Sequence, residues 1–193
     1  MTAIDVKAFA QKLLAVASDF QGLGEVVNNE HWDDPRTTFK DVDKDVWLRT
    51  WMSKVDGWTP GAPYCAAFVG AVVAATLKGY GVPMDRIESV WLKLWCAHCM
   101  TNVVRLKNKG ILSQVPVPGA LWLAQSGNSQ RGHAGIVNAT NGRQMSTIEG
   151  NTNDAGGREG DGIFAKQLPI SGRGSLKTRG FLHPSNILDL LHV

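Results

Sequence analysis

Three cysteines in 193 residues are too few, and an odd number, for a disulfide framework. A chain of this length can bury a sizeable core as one domain without covalent or metal staples. Long apolar runs are also lacking. The longest, Cys65 to Leu77, is shorter than the roughly 20 residues a membrane-spanning helix requires, so no membrane span is expected. The first residues, Met-Thr-Ala-Ile-Asp-Val-Lys, have neither a basic start nor an apolar stretch, and a Sec-type signal peptide is not expected. An excess of either charge is missing too. Twenty Lys and Arg against 17 Asp and Glu leave +3, dispersed without a basic run, so no nucleic-acid partner is expected. Repeats, low-complexity tracts and a linker are absent, and residues 1–193 read as a single domain.

What is present centres on Gly61-Ala-Pro-Tyr-Cys-Ala-Ala-Phe-Val-Gly-Ala-Val-Val-Ala-Ala-Thr-Leu77, which meets no charged side chain until Lys78. Pro63 suits the first turn of a helix, where its missing N–H would have no partner. Gly79 suits the left-handed residue that ends one. A helix that is apolar all round belongs in the centre of a domain. Its first turn carries Cys65, where free N–H groups and the positive end of the helix dipole lower a thiol's pKa. Taken alone, the stretch reads more simply as a core helix with a small buried thiol.

Upstream, Val6, Phe9, Leu13, Val16 and Phe20 have the spacing of an amphipathic helix over Asp5–Phe20. Thr2 and Asp5 approximate a capping box, and Gly22 and Gly24 supply the stop. Val27 to Pro63 is polar and tryptophan-rich, with a second helix expected over Asp41–Val55. Asp41-Val-Asp-Lys-Asp45 resembles the start of a calcium loop, but Val46 and Met52 stand where glycine and glutamate are needed. Acidic residues at a helix N-terminus are the better reading. Downstream, Ile87–Leu106 is expected as one helix. Within it, Trp95-Cys-Ala-His-Cys99 has the spacing of a redox motif without the strand that should precede it. A zinc site would need more ligands. Cys96 and Cys99 are read as packing residues, and neither a metal nor a cofactor is expected.

From Gly110 turn signals recur, and short apolar runs lie between them: Ala120–Ala124, Ala134–Ala139, Met145–Ile148 and Ile163–Leu168. Asn141-Gly142 between two such runs signals a hairpin. Helices first and strands afterwards give an α+β domain, its N-terminal helices packed on a C-terminal antiparallel sheet of about five strands.

Amide hydrolysis by a thiol needs an imidazole to move its proton and a polar group to orient that imidazole. His133 begins the strand Gly132-His-Ala-Gly-Ile-Val137, flanked by glycines that leave room for something to approach. Glu149 ends the partner strand Ser146-Thr-Ile-Glu-Gly-Asn151. A two-residue hairpin on Asn141-Gly142 brings His133 and Glu149 roughly opposite each other, with Asn151 on the same face if the strand continues. His31, His98, His183 and His192 have no comparable setting. Trp47, Trp51, Trp58 and Trp122 could line a groove, although tryptophans in such patterns more often fill the core.

Tyr64-Cys-Ala-Ala-Phe-Val69, Pro118-Gly-Ala-Leu-Trp122, Gly132-His-Ala-Gly-Ile-Val137 and Ile148-Glu-Gly-Asn-Thr152 resemble the successive motifs of CHAP domains. These are cysteine, histidine-dependent amidohydrolase/peptidases related to the NlpC/P60 group. Gly156-Gly-Arg-Glu-Gly-Asp-Gly162 resembles the loop that follows the last motif, and the likeness covers about Gly22 to Pro184. It implies a papain-like fold, with Cys65 as nucleophile, His133 as general base, Glu149 as its orienting residue and Asn151 as a further polar position. Tyr64 and Leu121 depart from the usual pattern, and Tyr64 and Trp122 are the groove candidates. The resemblance also implies peptidoglycan as substrate, cut at the N-acetylmuramoyl-L-alanine amide or within the peptide stem or cross-bridge. Such a protein is expected to be made in the cytoplasm and to act at the bacterial wall or periplasm, as a phage endolysin would. The alternatives are an antibacterial effector with an immunity protein as partner, and a non-catalytic wall-binding or structural module.

Overall fold

The computed structural model describes residues 3–27, 30–33, 42–152 and 160–193. The first helix, α1 (Val6–Ser18), starts where Asp5 caps it, its carboxylate accepting the Ala8 N–H at 2.8 Å. Asp5 is thus the cap itself, and the proposed contribution of Thr2 lies outside the described residues. Phe9, Leu13 and Ala17 form its buried face. Two short strands follow, β1 (Gly24–Val27) and β2 (His31–Asp33), and then α2 (Val42–Met52). One acidic residue of α2's first turn ties this region together. Asp45 accepts the Trp32 N–H at 3.0 Å and pairs with Arg49 and His31, each at 3.1 Å. Asp41 lies outside the described residues.

The apolar helix α3 spans Cys65–Gly79, with Cys65 its first residue and Tyr64 its N-cap. Pro63 therefore precedes the cap. At the other end Gly79 remains helical and Gly81 takes the left-handed conformation, at φ 79°. Nearly every α3 side chain is buried, because helices pack on one side and the sheet on the other. Two indoles tie its backbone: Trp91 Nε1 donates to Gly70 O at 3.0 Å and Trp95 Nε1 to Ala66 O at 2.8 Å. Gly70 must be small, since a Cβ there would stand 2.7 Å from the Trp95 ring.

The single helix expected over Ile87–Leu106 is interrupted. A short α4 (Met84–Arg86) runs into a π-helical segment, Ile87–Leu92, and a separate α5 spans Cys99–Asn108. The break between them has a local cause. Asn102 turns back and satisfies the freed backbone of Cys96, accepting its N–H at 2.9 Å and donating to its carbonyl at 2.7 Å. The break makes Cys99 the first residue of a helix rather than an interior one.

Strands β3 (Leu112–Ser113), β4 (Leu121–Ser126), β5 (Gly132–Thr140), β6 (Gln144–Thr152), β7 (Gly162–Pro169), β8 (Gly172–Arg173) and β9 (Leu176–Leu182) follow, and α6 (Pro184–Leu191) closes the chain. All pairings are antiparallel, in the order β2-β1-β7-β6-β5-β4-β9-β3, with β8 beside β9. The architecture is α+β, as expected. Among the described residues the sheet has nine strands rather than about five, because very short strands and two drawn from the polar N-terminal region extend it. Strand alternation divides it into two faces. Leu121, Leu123, Ala134, Ile136, Ile148 and Ile163 pack toward α3, whereas Trp122, Val137, Met145, Leu168, Leu176 and Phe181 form a second cluster on the other face. That cluster joins β7 to β9 across the intervening strands, so the sheet curls around it.

Candidate active site

Cys65, His133 and Glu149 come together. The hairpin of β5 and β6 turns at Asn141–Gln144, where the Asn141 N–H donates to Gln144 O at 3.1 Å. A bulge between Val137 and Ala139 shifts the register, which pairs Ile136 with Ile148. Continued by one residue, this register sets Glu149 across from Gly135, with His133 one diagonal step away on the same face. The eight-and-eight spacing around Asn141 thus yields a diagonal neighbour rather than a directly opposed one. The diagonal is bridged because Gly135 has no side chain: a Cβ there would lie 2.8 Å from Glu149 Cγ. The carboxylate crosses this space to His133, with Nε2–Oε2 at 2.8 Å. Gly132, the other flanking glycine, makes room differently, since its Cβ would lie 2.8 Å from that of Cys99.

Cys65 approaches from the end of α3. Its sulfur meets the Ala134 N–H, the His133 ring and the Cys99 thiol, the last at 3.6 Å. With Nε2 committed to Glu149, Nδ1 is the imidazole nitrogen left for the sulfur. The Cys65 pKa is held well below that of an ordinary thiol, first by the Cys99 hydrogen bond and then, against the cost of burial, by His133 and the Ala134 N–H. Cys99 is raised well above, because it donates to Cys65, is buried and faces the Cys65 charge. Burial alone would favour a neutral His133. The Cys65 thiolate and Glu149 outweigh it and push the imidazolium pKa up to about 10. Both shifts favour the thiolate–imidazolium form of the pair.

Glu149 has no exposed surface, and burial by itself would raise its pKa. The His133 hydrogen bond and charge, the Arg173 charge and the Thr147 hydroxyl hold it below the ordinary carboxylate value instead. Arg173, from β8, grips it with both terminal nitrogens, Nη2–Oε2 at 2.8 Å and Nη1–Oε1 at 3.3 Å. The sequence reading missed Arg173, Thr147 and the contact of Cys99 with Cys65. Thr147 was findable, lying two residues before Glu149 on the same face of the strand. A buried Glu149 demands a cation, but nothing in the spacing singled out Arg173.

Asn151 is buried with a left-handed backbone, at φ 53°. Its backbone lies against the Tyr64 hydroxyl, where β6 is irregular between Glu149 and Thr152. Tyr64 and Trp122, the groove candidates, have no exposed surface, so they pack behind the site instead of lining an open face. Tyr64 meets Trp32 edge-on at 5.1 Å between ring centroids, and burial, reinforced by the Glu25 charge, keeps its phenol protonated. Trp122 meets the His133 ring edge-on at 6.0 Å and donates to Thr178 Oγ1 at 2.9 Å, which props the imidazole from behind. Trp58 is buried, and Trp47 and Trp51 pack partly buried against the core. His31 and His183 are engaged elsewhere, with Asp45 and with Val115 O at 2.7 Å. Most of the glycine-rich stretch from Gly156 to Gly162 lies outside the described residues. Among the described residues, no group of three or more His, Cys, Asp or Glu side chains is arranged to hold a metal ion, and no helix is long and apolar enough to cross a membrane. Neither the protein-family models nor the curated proteins compared with this chain give a match.

Proposed function

We propose that this chain is a cysteine amidohydrolase of papain-like fold, akin to CHAP domains, that cleaves an amide bond of peptidoglycan. The observation that carries the chemistry is a helix-start thiol beside an imidazole whose far nitrogen is fixed by a buried carboxylate, an arrangement that favours the thiolate. Peptidoglycan as substrate rests on the motif resemblance, as does action at the bacterial wall or periplasm.

In the proposed reaction the Cys65 thiolate attacks the amide carbonyl carbon. As the first residue of α3, Cys65 has a backbone N–H with no acceptor inside the helix, and this N–H faces the developing oxyanion. His133 Nδ1 then gives its proton to the departing amine, and the acyl group remains on sulfur as a thioester. Water, deprotonated by the now neutral His133, releases the acid and regenerates the thiolate. Glu149 holds the ring through both steps and offsets its positive charge.

The test is digestion of purified sacculi followed by mass spectrometry of the released muropeptides. New free alanine N-termini identify an amidase, and new termini elsewhere in the stem identify an endopeptidase. Cys65→Ala is expected to abolish release with the circular dichroism spectrum unchanged. Release by Cys65→Ala at the wild-type rate removes the thiol mechanism. Intact sacculi, with Cys65 shown to be reactive toward iodoacetamide, remove peptidoglycan as the substrate.

A further inference from the structure

Among the described residues, the helix break at Trp95–His98 has a chemical consequence beyond lowering the Cys65 pKa. Cys99 becomes the first residue of α5 just as Cys65 is the first residue of α3, so two helix N-termini bring their thiols together. The sulfurs are 3.6 Å apart, in contact and within about 1.6 Å of disulfide bonding distance. Cys96, the sequence neighbour that would complete a redox motif with Cys99, is occupied. Its thiol donates to Asn102 Oδ1 at 3.3 Å and lies 3.7 Å from His98 O. Gly132 supplies the space that lets Cys99 stand beside the start of β5. Cys65 and Cys99 each keep 6% of their residue surface exposed, while Glu149 has none. A reagent as small as a peroxide therefore has a way in.

We propose that Cys65 and Cys99 form a reversible oxidation site, in which peroxide converts the nucleophile into a Cys65–Cys99 disulfide. The thiolate of Cys65 attacks one peroxide oxygen and the O–O bond breaks. The departing hydroxide takes the His133 proton and leaves as water, which makes Cys65 a sulfenic acid. Cys99 then attacks the Cys65 sulfur, the S–O bond breaks, and the second hydroxide leaves as water with the Cys99 proton. Two thiols and one peroxide thus give one disulfide and two waters. The roles are unequal, since Cys65 is the thiolate and Cys99 the protonated partner that resolves it. A dithiol reductant reverses the bond by exchange. The consequence for hydrolysis rests on the function proposed above, whereas the bond itself does not.

The experiment treats the full chain with a small molar excess of hydrogen peroxide, blocks remaining thiols with N-ethylmaleimide in denaturant, and maps unreduced peptides by mass spectrometry. The expected result is a Cys65–Cys99 linked peptide lighter by two hydrogens, with Cys96 blocked. Iodoacetamide labelling of native Cys65 should also be lost and then recovered with dithiothreitol. In Cys99→Ser, peroxide should drive Cys65 to sulfinic acid, beyond recovery by dithiothreitol. A wild-type map showing sulfinic Cys65 with Cys99 blocked, or a Cys96–Cys99 link, overturns the proposal, and this map does not depend on the variant folding. A linked peptide from a protein that, when reduced, leaves sacculi intact upholds the oxidation site and removes peptidoglycan as the substrate. The reverse pair of results does the opposite.

Discussion

Exchanging Glu149 for glutamine separates the orientation of His133 from its charge. The amide can keep the carboxylate's shape, but its loss of charge strands Arg173, whose two nitrogens meet Glu149 at 2.8 and 3.3 Å. Breaking one side of a buried ion pair costs about 3–5 kcal/mol. The Arg173 side chain keeps 18% exposure and can draw in some water, so the lower end, about 3 kcal/mol, applies to Glu149→Gln. Arg173→Met strands the carboxylate less severely, because His133 and Thr147 still hold it; about 2 kcal/mol is expected. The double variant leaves neither charge abandoned by the other. Its cost should fall short of the sum by about 1–3 kcal/mol, the coupling found between groups in direct contact.

Urea unfolding of the four proteins at pH 7, with unchanged slope as the check on two-state behaviour, gives the coupling directly. Activity should divide differently from stability. Glu149→Gln removes the charge that helps hold His133 as imidazolium, so iodoacetamide labelling of Cys65 should slow about tenfold or more. Arg173→Met leaves the His133–Glu149 contact in place and should slow it only a few-fold. Additive stability losses, to within about 0.5 kcal/mol, or equal labelling rates in the two single variants, refute the reasoning.

Gly135→Ala places a methyl 2.8 Å from Glu149 Cγ and 3.2 Å from Ile148 O, and should cost about 1–3 kcal/mol by overpacking. Displacing the carboxylate should also slow sacculus digestion by about 100-fold, and a fully active variant would show that Glu149 need not occupy that space. Because Cys65 is depressed and His133 raised to about 10, iodoacetamide labelling of Cys65 should already be fast well below the ordinary thiol pKa and should not rise through it. A rise centred on the ordinary thiol value of 9.0 rejects the ion pair. Stability follows from counting protons on that pair. Between the ordinary values of 6.5 and 9.0, the folded and unfolded chains each hold one proton, and the contribution is flat. Above 9.0 the unfolded pair holds none, so stability falls by about 1.4 kcal/mol per pH unit until His133 itself deprotonates near 10. Below 6.5 the unfolded pair holds two protons and the folded pair one, so stability also falls on acidification. Urea midpoints that keep rising from pH 9 to 10 contradict this sign.

The parts of the site that were legible in the chain are those governed by local chemistry. Cys65 was marked by an uncharged helix, and His133 and Glu149 by strand alternation around a turn. Alternation survives a register error of two residues, which is why the pair was found although the turn centres on Gly142–Arg143; the one-residue bulge at Val137–Ala139 returns Glu149 to the face of His133. The missed parts depend on chain reversals that no local period encodes. Cys99 reaches the site because Asn102 caps a helix break inside an unbroken helical pattern. Arg173 reaches it because the sheet curls far enough for β8 to face β6. Trp122 was a groove candidate, although tryptophans in a strand pattern more often fill the core. The curl instead buries it between Phe181 and the neighbouring strands.

The charges at the centre of the fold alternate: Cys65 negative, His133 positive, Glu149 negative, Arg173 positive. Their sum is zero, and each is held by its neighbours in a region from which water is nearly excluded. Such an arrangement contributes little to stability, because apolar side chains of the same volume would avoid the desolvation cost altogether. It does favour an ionised Cys65 below the ordinary thiol pKa, because the proton the thiol gives up stays on His133 within the pair. The glycines bear the same reading. Gly135 and Gly132 give up packing so that Glu149 and Cys99 can cross the space beside His133. A core built for stability would place apolar side chains there, whereas one that serves the acyl transfer proposed above has a reason to give that space to Glu149 and Cys99.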